Sequence, residues 1–118
     1  MDGPVLDPAG FARLLEITGD DLEFVDELVD TYLEDAVVQL EAMRAAAASG
    51  DAAAMVRPAH SLKSSSENVG ATGLADACRS LEADGKAGTV PDAVDRVAQC
   101  DATFSAVRTA LLAERAGR

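Results

Sequence analysis

His60 is the sole histidine of the chain, and one of only two lysines stands three residues after it, in the stretch AHSLKSSSENVGA (residues 59–71). If this stretch is helical, Leu62 lies about 160° around the axis from His60, so a core-facing Leu62 turns His60 to solvent. Lys63 and Ser64, at i+3 and i+4, share the histidine's face one turn on, and Glu67 lies above it two turns along. A neutral imidazole keeps one free nitrogen lone pair near neutral pH, a usable nucleophile toward phosphorus. Lys63 is a point cation placed to offset the charge of a transferring phosphoryl group. Ser64 is short enough to let a partner's active site close over the ring; a Leu or Glu would stand in the way.

Those positions depend on helices, and the punctuation supplies them. Asp7–Pro8 caps and opens a short helix through AGFARLLEI, stopped by Gly19. Asp20 then reads as the next N-cap, with Glu23 as its capping-box partner. The second helix is long, with apolar residues at Leu22, Val25, Val29, Tyr32, Ala36, Leu40, Met43 and Ala47. Ser49-Gly50-Asp51 ends it and caps a third helix over about residues 51–69, whose inward row is Met55, Ala59, Leu62, Ser66 and Val69 and whose stop is Gly70. Pro58 removes the hydrogen bond to Ala54 and predicts a kink. A fourth helix follows Thr72, with Leu74, Ala77, Cys78 and Leu81 inward, and ADGKAGTVP reads as the connection to the last. Pro91 suits the first turn of that last helix, which buries Ala93, Val97, Cys100, Phe104, Val107 and Leu111. The expected architecture is all-α: an up-down four-helix bundle with a short additional N-terminal helix, one domain over residues 1–118.

The chain's 118 residues suffice for a real core. Its net charge of -11 argues against nucleic acid and anionic membrane as partners, while 48% hydrophobic content in a regular pattern argues against disorder. Cys78 and Cys100 lack the spacing of a zinc or redox motif and read as buried free thiols. The N-terminal MDGPVLDPAG lacks the basic and apolar regions of a leader, and no apolar run reaches membrane-spanning length. A cytoplasmic, monomeric protein is expected.

The stretch AHSLKSSSENVGATGLADACRSLE resembles the histidine-containing phosphotransfer (HPt) domains of two-component phosphorelays. Their pattern, roughly H-x-L-K-G-S-S-x-x-L-G-A followed by a leucine-spaced helix with a Cys and a Leu-Glu or Leu-Gln pair, is matched at His60, Leu62, Lys63, Ser65, Ser66, Gly70, Ala71, Leu74, Cys78, Leu81 and Glu82. The resemblance implies that His60 is the phosphoacceptor, that Lys63 assists it, and that Glu82 hydrogen-bonds the ring's other nitrogen. Glu rather than Gln there is most similar to the phosphotransfer domains of chemotaxis kinases. Ser64 replaces the family's usual Gly and narrows access. Pro58 lies outside the pattern, and its kink is expected to bear on the ring's position relative to Glu82.

A lone exposed histidine near Lys and Glu is ordinarily a solvated helix face; here the combined pattern outweighs that reading. The function implied is a phosphocarrier, not an enzyme, passing a phosphoryl group between His60 and the Asp of a response-regulator receiver domain, with a sensor histidine kinase or hybrid kinase upstream. No nucleotide-binding motif is present. No cofactor is expected, the Mg2+ coming from the receiver's acidic pocket. The alternative is a phosphorylation-independent helical adaptor that occupies a receiver or kinase domain.

Overall fold

A computed structural model describes residues 5–117; the first residues of the stretch read for a leader, 1–4, lie outside them. Five helices follow in order: α1 (Pro8–Ile17), α2 (Leu22–Ser49), α3 (Ala52–Asn68), α4 (Thr72–Ala87) and α5 (Ala93–Ala116), and no strand occurs among the described residues. α2 packs on α3, α3 on α4, α4 on α5 and α5 back on α2, closing a ring of four, while α1 lies against α2 and α3. Leu40, Met43, Met55, Leu62, Leu74 and Leu81 fill the interior with Cys78 of α4 and Val97, Cys100 and Val107 of α5. Tyr32 and Phe104 meet edge to face, ring centroids 6.0 Å apart. Cys78 and Cys100 are buried free thiols, as expected.

The caps explain the boundaries. Asp7 accepts from Ala9 N–H, with Pro8 in the first turn of α1. Asp51 accepts from Ala54 N–H at the start of α3, after Gly50 has closed α2 in a left-handed conformation. α2 begins one residue later than its sequence suggests. Gly19 and Asp20 both take positive φ (66° and 59°), so the turn uses Asp20 and the cap is Asp21, which accepts from Phe24 N–H at 3.1 Å. Glu23 therefore sits in the first turn without a capping box, and Leu22 is exposed. The buried alanine at the far end of α2 is Ala46, Ala47 being partly covered.

α3 continues through Pro58, which is itself buried, and Gly70 follows with φ 82°. All five residues of its inward row are buried. On α4 the row runs through Ala75, while Ala77 is exposed. ADGKA is helix, not connection: α4 extends to Ala87 and ends at Gly88 (φ 96°). Packing accounts for the extension. A Cβ on Gly85 would come within 2.8 Å of Ala52 O and 2.9 Å of Val56 Cγ2, so the bare glycine lets the two helices touch there. That contact outweighs the residue's low helix propensity. Pro91 precedes α5, in a turn with Asp92 (φ 52°), and Ala93 is only partly buried.

Candidate functional site

α3 places His60 on the rim, its side chain 57% exposed, because Ala59 and Leu62 on either side of it in sequence are buried. α4 brings Glu82 to it. Glu82 follows the buried Leu81 and lies one turn before Gly85, where the helices touch, so its side chain reaches α3 while remaining only 7% exposed. Glu82 Oε2 sits 2.9 Å from His60 Nδ1. The expected effect of Pro58 does not prevent this bond.

Both lysines of the chain converge on the same carboxylate. Lys63 Nζ lies 3.0 Å from Oε1, and Lys86 Nζ lies 3.1 Å from Oε2, the oxygen the imidazole also uses. Burial pushes the Glu82 carboxyl upward, but hydrogen bonds from Lys63, Lys86 and His60 outweigh it and hold the group down at about 2. At neutral pH Glu82 is therefore an anion that can only accept hydrogen bonds. Nδ1 must then carry the imidazole proton, which leaves the lone pair on Nε2. One carboxylate against two ammonium groups leaves a local excess of positive charge beside the ring, in a chain whose net charge is -11.

Of the residues singled out in the sequence, His60, Lys63 and Glu82 come together. Lys63, expected to face a phosphoryl group directly, is engaged by Glu82 and only 20% exposed. Ser64 is exposed on the histidine's side of α3. Ser65 Oγ donates to Leu62 O, and Ser66 Oγ is 3.0 Å from Tyr32 OH in the core. Glu67 does not join the cluster; Arg79 of α4 takes it at 3.0 Å. Lys86 is the member that the sequence reading missed. Its signal was the i,i+4 spacing from Glu82, invisible while ADGKA was read as a connection. Among the described residues no cluster of His, Cys, Asp or Glu could hold a metal ion, and no helix is long and apolar enough to cross a membrane.

The comparisons with known proteins point the same way as this geometry. A family model described as "Hpt domain" matches residues 27–110. The solved structure of histidine-containing phosphotransfer protein B (HptB) from Pseudomonas aeruginosa PAO1 is similar over 99% of both chains, with a TM-score of 0.86 and 33% sequence identity. No curated protein matches the sequence. With its single histidine on a helical rim and the family model matched across the site helices, the chain belongs to the histidine-containing phosphotransfer (Hpt) domain family.

Proposed function

We propose that this Hpt domain is a histidine phosphocarrier that accepts a phosphoryl group on His60 Nε2 and exchanges it with the aspartate of a response-regulator receiver domain. The observation that carries the reading is the Nδ1–Glu82 bond on an otherwise exposed ring. In the forward step the Nε2 lone pair forms a bond to phosphorus while the bond from phosphorus to the donor's aspartyl oxygen breaks, and the carboxylate leaves. Nδ1 keeps its proton throughout, held by Glu82. Return to a receiver runs the same step backwards. Lys63 and the ring's net positive surroundings favour the dianionic group at Nε2 over its dispersal in water. The receiver's acidic pocket would supply the Mg2+ that offsets the charge of the transferring group, and a kinase or hybrid kinase would be the upstream phosphoryl source.

The receiver docks over His60 on the exposed faces of α3 and its neighbours, in a small transient interface. Ser64 sits beside the ring and leaves that approach open.

Phosphorylation distinguishes this reading from a phosphorylation-independent adaptor. Incubation with a phosphorylated receiver is expected to give acid-labile, base-stable phosphate on the protein. His60→Gln is expected to fold normally and accept none. Label retained by His60→Gln, or a wild-type protein that never accepts label, overturns the assignment.

A further inference from the structure

The two lysines hold Glu82 in unequal ways. Lys63 takes Oε1, the oxygen turned away from the imidazole bond, and its side chain is 20% exposed. Lys86 takes Oε2, the oxygen that already accepts from His60 Nδ1, and its side chain is 64% exposed. Lys63 is thus packed into the α3–α4 seam, whereas Lys86 is an exposed cation on the rim, bonded to the same carboxylate oxygen as the ring and as open to solvent as the ring itself. Of this i,i+4 pair the carboxylate is nearly covered and only the ammonium end is open, so a new acceptor on the rim can reach Lys86 without uncovering Glu82. A phosphoryl group on Nε2 would place up to two negative charges and three strong acceptors within the neighbourhood of that ammonium.

We infer that Lys86 is a second cation of the phosphotransfer site, which leaves Glu82 Oε2 for the phosphoryl oxygens once His60 is phosphorylated, while Lys63 stays on Oε1. This rests on His60 being the phosphoacceptor. The division of labour follows from the two oxygens. With Lys63 still in place, Glu82 keeps a counter-charge and continues to accept from Nδ1, so the tautomer survives the departure of Lys86. Were Lys63 to leave instead, a carboxylate that is almost fully covered would lose its inner partner. No bond is made or broken in the exchange beyond the hydrogen bonds of one ammonium group.

The test uses phosphoramidate as a small phosphodonor, so that no partner protein enters, on the wild type, Lys86→Gln, Lys86→Arg and Lys63→Gln. Phosphate is mapped by mass spectrometry, and the lysine side chains are followed by NMR before and after phosphorylation. Lys86 signals are expected to shift on phosphorylation and Lys63 signals to stay. Lys86→Gln is expected to be phosphorylated about threefold more slowly, the scale of one partly exposed charge pair, with its His60 tautomer unchanged, and Lys86→Arg to recover the rate. A lysine that served only the helix would not respond to phosphate on His60. Static Lys86 signals, or a Lys86→Gln rate equal to wild type, overturn the inference while leaving the phosphocarrier reading intact. Absence of phosphate from His60 in every protein overturns both.

Discussion

α3 makes polar contacts on two sides, and they obey opposite rules. Toward α2, Ser66 Oγ and Tyr32 OH meet at 3.0 Å inside the core, both residues at most 4% exposed. Burial pushes the Tyr32 phenol up to about 12, so the pair stays neutral at any physiological pH. Toward α4, the imidazole and two ammonium groups share one carboxylate at the rim. Among the described residues the buried pair has no other side-chain hydrogen-bond partner, so it favours one arrangement of α2 against α3. The rim cluster has more donors than its two oxygens require, and its members can exchange partners without leaving a group unsatisfied. α3 thus carries one contact with a single pairing and one with several.

The largest effect that would separate the two sides is on transfer. Ser64→Leu adds bulk beside the ring on an exposed position. It is expected to slow phosphotransfer to a receiver by at least about tenfold, while stability changes by less than about 0.5 kcal/mol. Rapid-quench transfer assays and urea unfolding read the two quantities. Normal transfer by Ser64→Leu would mean that the receiver does not approach from this side.

Next in size is the core pair. Tyr32→Phe leaves Ser66 Oγ without its partner at a fully buried site and is expected to cost about 1–3 kcal/mol in urea unfolding. Tyr32→Phe with Ser66→Ala removes both polar groups and is expected to recover part of that loss, a coupling that a double-mutant cycle measures. His60 phosphorylation by a small donor should be unaffected in either. Additive losses would show that the hydroxyls do not act as a pair.

Glu82→Ala acts on the rim alone. The ring loses the acceptor that fixes its proton on Nδ1, so 15N shifts of His60 should change from one dominant tautomer to a mixture. Glu82→Gln still offers a carbonyl oxygen to Nδ1–H and should fall between. Identical tautomer ratios in all three proteins would mean that Glu82 does not set the ring's protonation.

These contacts were unequally legible in the sequence. The inward rows were readable because burial on a helix follows a period: Ser66 and Tyr32 were both placed inside from spacing alone. That their hydroxyls meet depends on the rotation of two helices against each other, which no single helix encodes. Asp20 and Asp21 are chemically equivalent caps, and the choice fell to how many left-handed residues the turn after Ile17 uses. Glu82 came from resemblance to a family pattern, not from spacing, since twenty-two residues and a turn separate it from His60. Lys86 was lost to a local rule. Gly85 and Gly88 bracket it with the signature of a loop, while the close approach of Gly85 to Ala52 and Val56, which favours a helix there, is a tertiary contact.

The smallest expected effect is also the one that tests the charge contrast most directly. Glu82 is held at about 2 in the fold against an ordinary value of 4.5, so folding favours its ionised form. Its contribution to stability is therefore complete above about pH 4.5, declines as the pH falls, and is gone below about pH 2. The groups facing it are His60, Lys63 and Lys86, and replacing the carboxylate alone isolates its part in the loss. Urea midpoints of the wild type and Glu82→Gln, measured from pH 7 down to 2, should converge in the acid arm, the difference between the curves removing the common titration of the other carboxylates. Tyr32→Phe should instead run parallel to the wild type over the same range, because a phenol at about 12 does not titrate there. Parallel curves for Glu82→Gln would place the rim carboxylate outside the charge cluster. Convergence for Tyr32→Phe would mean that the core pair is not the neutral, fixed contact that distinguishes the two sides of α3.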